Sequence, residues 1–194
     1  KEFIKEMPAR LKEYHEVFSG NVIAQNRLKG VGFLSREDAI NYGVTGPSGR
    51  GSGWACDVRK RSPYAAYDKV QFDEVLYNEG DSYARYMARM KEIEQSLHIL
   101  EQLVDNIPEG DYLAKTKPII KVPEGRYFKE VEAARGAFGI YLESRGDKFP
   151  YRLKVNSPGF NLVGAVDHMT RGSKIADLIA IGGSLDYVVP DIYR

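Results

Sequence analysis

The stretch GDSYARYMARMKEIEQSLHILEQLVDN, residues 80–106, decides the fold of this chain. Its apolar residues recur at steps of three and four, the spacing that places side chains on one face of an α-helix. Asp81 or Ser82 can cap the first amides and Pro108 ends the pattern, so the sequence predicts a helix over 81–107. Such a helix is about 40 Å long, and we expect the rest of the domain to pack around it. The apolar positions are Tyr83, Tyr86, Met87, Met90, Ile93, Leu97, Leu100 and Val104.

A second stripe on the same helix is polar, and it consists of Arg85, Arg89, Glu92 and Ser96. These residues are spaced by four, three and four positions, so they share one face. Two arginines four residues apart repel each other unless anions lie close to them, and Glu92 can answer only one of them. The stripe is either a solvated surface or a buried polar track that faces a partner or a cofactor. The helix alone does not decide between these two interpretations.

Composition places the chain among ordinary soluble domains. It has 194 residues, of which 43% are hydrophobic and 28% charged. Its net charge of +1 does not indicate nucleic-acid binding. No apolar run approaches the roughly 18 residues that a membrane span needs, and we expect no secretory signal. The single cysteine, Cys56, excludes an internal disulfide and a cysteine-rich metal site, so we expect a reducing, intracellular location. Because the first residue is Lys1 and not methionine, we expect a fragment or a processed product.

Shorter helices are expected before the long one. Apolar residues at three-four spacing predict a first helix that ends near Gly20, and residues 21–28 favour a second one. Ser35 precedes two acidic residues and can cap a third helix, which a glycine ends. Together with the long helix, these elements form a helical lobe that we assign to residues 1–125.

Strand patterns follow the helical lobe. Residues 126–132 favour a strand, and two alternating runs on either side of SRGDK, residues 144–148, predict a β-hairpin. We therefore assign a small antiparallel β lobe to residues 126–156, and C-terminal helices with a tail that returns to the core to residues 157–194. The fold class is α+β, mainly helical, with a long central helix and a small antiparallel sheet. The last two helices are predicted over 162–170 and from Ser173 to near the Gly182–Gly183 pair.

The glycine-rich stretch GPSGRGSGWACDVRKR, residues 46–61, has two interpretations. Glycines and basic residues, Arg50 among them, could cradle a phosphate group, but the order of the known phosphate loops is missing. Alternatively, the glycines form a tight loop that closely approaches a neighbouring subunit, which is the interpretation we prefer. Cys56 has no histidine partner at a recognisable spacing, so we do not treat it as a nucleophile.

Several motifs, in order, carry a resemblance to a known family. The chain resembles the D subunit of respiratory complex I, which is the catalytic, quinone-site subunit of the NADH:quinone oxidoreductase, and its relatives, the large subunits of nickel–iron hydrogenases. The resemblance covers nearly the whole chain from about Gly30, and it corresponds to the C-terminal half of those longer proteins. It implies a fold like that of the hydrogenase large subunit. The motifs are GPSGRGSG (46–53), DVRK (57–60), PYAAYD (63–68) with Phe72, and EGDSYARYMARMKEIEQS (79–96).

The end of the chain separates the two branches of this family. Hydrogenase large subunits end in a signature in which two cysteines hold the nickel–iron centre. Asp186 matches that signature, but Val188 and Asp191 stand at the cysteine positions. Because thiolates are the ligands that would hold such a metal, we expect no nickel and no metal site in this chain.

The resemblance to complex I implies a quinone chamber in place of the metal cavity. Quinone is then a substrate, no group is bound covalently, and electrons arrive from an iron–sulfur cluster on the neighbouring small subunit. The resemblance assigns no catalytic residue to this half. It implies that the chamber is lined by Gly183, Asp186, Val188, Val189 and Arg194, and that a polar track near the partner's cluster consists of Arg85, Arg89 and Arg135.

Arg135 lies in EAARGAFG, residues 132–139, which resembles a family turn beside the ancestral active site. Two residues depart from the complex I pattern. Ala137 stands where a glutamate is usual, and Tyr193 replaces the acidic residue before the last arginine.

The function implied is electron transfer from NADH to quinone coupled to proton translocation, by a subunit that is not active alone. Expected partners are the iron–sulfur small subunit, other peripheral-arm subunits and a membrane-arm subunit at the quinone site, and no nucleic acid. The expected location is peripheral, at the cytoplasmic face of the cell membrane. Three alternatives stay open: a nickel-free relative of an energy-converting hydrogenase large subunit, fed by NADH, ferredoxin or a deazaflavin; a structural connector; and a nucleotide-binding module that uses the Arg50 loop.

Overall fold

The computed structural model describes residues 1–192 and shows an α+β fold in which helices dominate, as predicted. Ten helices and one three-stranded antiparallel sheet make up this part of the chain. The helices are α1 (Glu2–Tyr14, continued by a π-helical turn over His15–Ser19), α2 (Val22–Leu28), α3 (Arg36–Tyr42), α4 (Gly46–Arg50), α5 (Val58–Arg61), α6 (Ser82–Leu103), α7 (Pro158–Gly164), α8 (Val166–Thr170), α9 (Ile175–Leu185) and α10 (Val189–Ile192). The strands are β1 (Gly125–Ala133), β2 (Gly136–Ser144) and β3 (Arg152–Asn156).

The long helix α6 lies at the centre, as the sequence predicts. The Asp81 carboxylate caps it by accepting the Ala84 amide at 2.7 Å. The helix ends at Leu103 and not at residue 107. Beyond Leu103 the backbone tightens into a turn in which the Asn106 amide donates to the Leu103 carbonyl at 3.0 Å. Pro108 prevents the helix from resuming, because it has no N–H and its ring disfavours helical backbone in the residue before it.

The buried surface of α6 is wider than the predicted apolar stripe. Met90 and Leu97 are buried against Leu11 of α1, as the stripe requires. Leu100, however, is 42% exposed. The helix contacts α4 and α9 as well as α1, so residues off the stripe, among them Ala88, are also buried.

A second apolar cluster joins the C-terminal helices to α3. Its members come from α3, α7, α8 and α9 and from the loops beside them, so the last part of the chain packs onto the first. No helix within residues 1–192 is both long enough and apolar enough to cross a membrane. The buried members are Leu34, Ala39, Val44, Leu162, Ala165, Met169, Ile181 and Leu185.

The sheet has the order β1-β2-β3 and confirms the predicted strands and hairpin. A two-residue turn joins β1 to β2, where Ala133 pairs with Gly136. This turn carries Arg135, and the Ala137 amide next to it donates to Thr45 Oγ1 at 2.9 Å. The sheet therefore holds Arg135 against the start of α4.

The glycine-rich stretch is not the loop that the sequence suggests. It forms the short helices α4 and α5 with a turn between them. Its glycines allow close contacts within this chain: a Cβ at Gly46 would lie 2.5 Å from Gly136 Cα, and one at Gly51 would lie 2.9 Å from Arg85 Cγ. The glycines thus let α4 pack directly against α6 and the β1–β2 turn. The predicted approach to a neighbouring subunit stays a prediction.

The C-terminal helices also differ from prediction. The helix expected over 162–170 begins at Pro158, and a tightened turn at Ala165 divides it into α7 and α8. Helix α9 runs through the Gly182–Gly183 pair to Leu185. Burial of Leu185 and of its neighbours outweighs the cost of about 1 kcal/mol that each glycine brings to a helix interior.

Candidate functional site

Three arginines converge on the C-terminal end of α9. Each contacts one of three consecutive residues, 184–186, although the arginines come from α6 and from the β1–β2 turn. The last carbonyl groups of a helix lack partners within the helix and carry partial negative charge, so cations stabilise them. The contacts run from Arg85 Nε to Ser184 Oγ (2.9 Å), from Arg89 Nη2 to the Leu185 carbonyl (3.2 Å) and from Arg135 Nε to the Asp186 carbonyl (2.6 Å).

This convergence decides between the two interpretations of the polar stripe on α6. Arg85 is fully buried and Arg89 is held between protein groups, so the arginines form a buried track and not a solvated surface. Glu92 is also largely buried, whereas Ser96 at the far end is exposed.

Arg85 is buried with neutral hydrogen-bond partners. Besides Ser184, it donates to the carbonyl groups of Gly80 and Gly32 and to Ser82 Oγ, at 2.8–3.0 Å. No carboxylate within residues 1–192 accepts a hydrogen bond from it. Burial, and then the charge of Arg89, lower its pKa to about 9.

Arg89 is the least satisfied of the three. Its Nη atoms donate to the Arg85 carbonyl at 3.0 Å and to Ser48 Oγ at 3.2 Å, besides Leu185. Its Nε is buried and has no hydrogen-bond partner in the described part of the chain. Burial lowers its pKa, although Asp186 and Glu92 act in the opposite direction.

A buried charge network surrounds Arg50, next to these arginines. Arg50 is 1% exposed, and its guanidinium donates to Glu92 at 2.6 Å and to Glu132 at 2.8 Å. Burial alone would lower the pKa of Arg50, but the hydrogen bonds and charges of Glu92 and Glu132 raise it. Two carboxylates thus neutralise the Arg50 guanidinium through its Nε and Nη1 atoms, which argues against the phosphate-cradle interpretation for this residue.

The network continues through Glu132 and α5. The second oxygen of Glu132 accepts the Val58 amide at 3.0 Å, and the Glu132 amide donates to Tyr64 Oη at 3.1 Å. Asp57 accepts two hydrogen bonds from the Arg59 guanidinium through separate oxygens, at 2.9 and 2.6 Å. Burial alone would raise the pKa of Asp57, but its bonds to Arg59 hold it below the usual range.

Cys56 lies beside this network and is buried. Burial raises the pKa of its thiol to about 12. The thiol is therefore protonated at neutral pH and is not an activated nucleophile, as the sequence predicts.

Two pockets flank the arginine track. A polar pocket of about 300 Å³ lies between α4, α6 and the β1–β2 turn, and a largely apolar pocket of about 260 Å³ lies between α6 and α9. Arg89 lines both. The polar pocket is lined mainly by Arg50, Arg59, Arg89, Glu92, Ser96, Glu132 and Asp186, and the apolar one by Phe18, Leu28, Tyr86, Ile179, Ala180 and Gly183.

The residues predicted to line a chamber are spread over the end of α9 and the tail. Asp186 lines the polar pocket, and Gly183 lines the apolar one. Val188 is half-buried and Val189 is exposed. Arg194 lies outside the described residues, as does Tyr193. The chamber assignment thus stays a prediction.

Sequence reasoning missed the charge network. In the sequence, Glu132 stands at the end of a predicted strand and the start of a family turn, Asp57 within a motif, and Arg59 among the basic residues of the glycine-rich stretch. Arg50 is separated from its acidic partners by 42 and 82 residues, so no local spacing could indicate the pairs. Within residues 1–192, no three histidine, cysteine, aspartate or glutamate side chains are grouped so as to hold a metal ion.

Comparison with known proteins gives the family directly. The family described as "Respiratory-chain NADH dehydrogenase, 49 Kd subunit" matches residues 1–121 and 114–194. The C/D subunit of the NADH-quinone oxidoreductase of Phocaeicola vulgatus is 67% identical to the chain over 194 residues, which is all of this chain and 37% of that protein.

Shorter relatives, which are named as the D subunit alone, match over the same region. The protein from Desulfotalea psychrophila is 50% identical to this chain. The match covers all of this chain and 52% of that protein. The protein from Bacillus mycoides is 44% identical over 99% of this chain and 53% of its own length. The chain thus spans between about a third and a half of the curated relatives that it matches. On these matches, which cover it from end to end, the chain belongs to the family of the 49 kDa subunit of respiratory-chain NADH dehydrogenase.

Proposed function

We propose that this chain is the C-terminal part of the quinone-reducing subunit of a membrane-associated NADH:quinone oxidoreductase. The enzyme would pass electrons from NADH to quinone and couple this transfer to proton translocation, and the subunit would not be active alone. The observation that carries the proposal is the match to the 49 kDa subunit family along the whole chain. Relatives that are 44–67% identical are named as D or C/D subunits of NADH-quinone oxidoreductase.

The proposed chamber is formed by the end of α9 and the tail. Gly183, Asp186, Val188, Val189 and Arg194 would line it, and quinone would enter as a substrate. The arginine track supports this placement, because Arg85, Arg89 and Arg135 all contact residues 184–186. Reduction of a quinone places negative charge on its oxygens, and fixed cations nearby stabilise such charge.

The redox centre would belong to another subunit. We propose that the electrons come from an iron–sulfur cluster on the neighbouring small subunit, and that this chain binds no group covalently and no nickel. Val188 and Asp191 stand at the cysteine positions of the hydrogenase signature, which supports the absence of nickel. Other partners would be peripheral-arm subunits and a membrane-arm subunit at the quinone site, with the assembly at the cytoplasmic face of the membrane.

Native mass spectrometry of the complex tests the assembly. The complex is isolated from detergent-solubilised membranes through this chain, and its metals are analysed on the same sample. We expect iron–sulfur and membrane subunits to co-purify, with iron and without nickel. Recovery of the chain alone, without iron, would contradict the proposal.

Photolabelling tests the chamber in that same complex. A photoreactive quinone is expected to label the segment from residue 183 to residue 189, and an excess of unlabelled quinone should suppress the labelling. Labels found only elsewhere would assign the chamber to other parts of the enzyme and leave a structural role for this segment.

A further inference from the structure

Two carboxylates share one buried guanidinium at the wall of the polar pocket. The Glu132 side chain is 5% exposed and that of Glu92 is 17% exposed, and both accept hydrogen bonds from Arg50. The partners come from β1, α6 and α4, so three elements of the fold hold this arrangement in place. Buried carboxylates beside an open pocket are positioned to exchange protons with it.

The network contains more acid than base. Around Glu132 lie Arg50 of α4, Asp57 and Arg59 at the start of α5, Tyr64 of the next loop, and Arg89 and Glu92 of α6. In the ion-paired set, three carboxylates (Asp57, Glu92 and Glu132) meet two guanidinium groups (Arg50 and Arg59). Glu74 adds a further carboxylate by accepting the Asp57 amide at 2.9 Å. With Glu74 and Arg89 included, four carboxylates face three guanidinium groups, and one bound proton balances this set, because a buried, uncompensated charge is costly.

Glu132 is the member best suited to take that proton. Burial raises its pKa, and Asp57 adds to this effect, although Arg50 and the Val58 amide act in the opposite direction. Asp57 is unsuited, because its bonds to Arg59 hold its pKa low.

The polar pocket gives a route to and from Glu132. Its volume of about 300 Å³ leaves room for several water molecules. It is lined by the exposed residue Ser96 and by Asp186, which lies in the proposed chamber segment. The pocket therefore connects solvent, Glu132 and the end of α9.

We propose that Glu132 is a proton-exchanging carboxyl group that passes protons from the solvent-facing Ser96 side of the polar pocket to its Asp186 side, at the end of α9. This inference rests on the proposed function. The Glu132 carboxylate takes one proton from pocket water, becomes a neutral acid, and releases that proton to water on the Asp186 side. Only O–H bonds form and break at Glu132. Reduction of one quinone to quinol takes two electrons from NADH and two protons, and Glu132 serves to deliver protons.

Infrared difference spectroscopy of the whole membrane enzyme, oxidised against reduced, tests the proposal. We expect a protonated-carboxyl band that disappears in Glu132→Gln. The rate of NADH:quinone turnover should fall about a hundredfold, while electron delivery to an artificial one-electron acceptor stays unchanged. The matched control is Glu130→Gln, two residues earlier on β1, whose carboxylate pairs with the half-exposed Arg61. This control should keep both the band and the rate.

The Glu132→Asp variant guards against failed assembly, because it retains a carboxyl group. It should shift the band and the pH profile of turnover, and an unshifted band in the assembled variant would overturn the proposal. If the wild-type enzyme reduces quinone and Glu132→Gln leaves the infrared band and the turnover rate unchanged, this inference alone is overturned. A wild-type enzyme that does not reduce quinone would overturn the proposed function, and this inference with it.

Discussion

Arg135 donates from Nε to the main-chain carbonyl of Asp186 at 2.6 Å, across a separation of 51 residues. The contact ties the turn of the sheet to the end of α9, and the Arg135 guanidinium also lies 3.5 Å from the Asp186 carboxylate. Asp186 has the left-handed backbone conformation (φ 56°) that usually belongs to glycine at a helix end. The arginine thus stabilises a strained turn, and it fixes the direction in which the tail leaves the helix.

Arg135→Gln should loosen this attachment. The variant loses a charge-assisted hydrogen bond, so the free energy of unfolding in urea should fall by about 1–2 kcal/mol. The control is Arg126→Gln near the start of β1, where the side chain is exposed and lies 4.0 Å from Glu143. Exposed pairs contribute little, and the control should change stability by less than about 0.5 kcal/mol. Equal losses in the two variants would contradict the proposed role of Arg135.

Arg50→Met should be far more damaging, because it leaves Glu92 and Glu132 buried without their shared cation. Breaking a buried ion pair from one side costs about 3–5 kcal/mol, measured as the loss of unfolding free energy. The surface pair of Arg61 with Glu130 provides the control, and Arg61→Met should cost less than about 1 kcal/mol.

A triple variant separates the effect of charge from the effect of packing at Arg50. Adding Glu92→Gln and Glu132→Gln to Arg50→Met removes the stranded charges, and most of the lost stability should return. If the triple variant is no more stable than Arg50→Met, the loss comes from packing and not from charge.

Helix α6 and the buried Arg85 on it show what local sequence can and cannot reveal. Helix α6 was predicted from its own apolar repeat, and the hairpin from its alternation, because both signals lie within a few residues. The burial of Arg85 could not be predicted in this way, since it depends on carbonyl groups at Gly32 and Gly80 and on Ser184, far apart in the chain. Even the resemblance, which placed Arg135 and Asp186 in one region, did not show that they are in contact.

The glycine-rich stretch was misjudged for a related physical reason. Glycine loses more backbone entropy than other residues when a helix forms, so glycine-rich sequences usually predict loops. In and beside α4, however, the absence of a side chain permits contact with α6 and with the β1–β2 turn. That benefit appears only when the packed neighbours are known.

The Asp57 carboxylate should make the free energy of unfolding depend on pH in the acidic range. Its pKa is lowered from 3.8 on folding, so the folded state holds the deprotonated form more strongly than the unfolded state does. The stabilisation is present above pH 3.8 and is lost as pH falls through the lower pKa of the folded state. Asp57→Asn retains an oxygen that can cap the Arg59 amide, so it removes mainly the charge. The variant should be less stable than wild type at neutral pH, and the gap should narrow in urea titrations at progressively lower pH below about 4. A gap that stays constant with pH would show that the Asp57 charge does not stabilise the fold.

Gly46 and Gly30 offer a matched pair that separates backbone conformation from contact. Both have positive φ, 70° and 69°. A Cβ at Gly46 would meet Gly136 Cα at 2.5 Å and the Arg135 carbonyl at 2.6 Å, whereas a Cβ at Gly30 would meet nothing within 4 Å. Gly30→Ala should therefore lower the free energy of unfolding only by the cost of a left-handed backbone with a Cβ, about 1–2 kcal/mol.

Gly46→Ala should cost that amount and a steric term besides, because the atoms in its way are backbone and cannot rotate aside. We expect a total loss of more than about 3 kcal/mol in urea unfolding. The clash also pushes the β1–β2 turn away from α4, so the hydrogen bond from the Ala137 amide to Thr45 should open, and amide exchange at Ala137 should become faster. Equal destabilisation by the two substitutions, with unchanged exchange at Ala137, would mean that the turn can shift without cost and that its contact with α4 does not position Arg135.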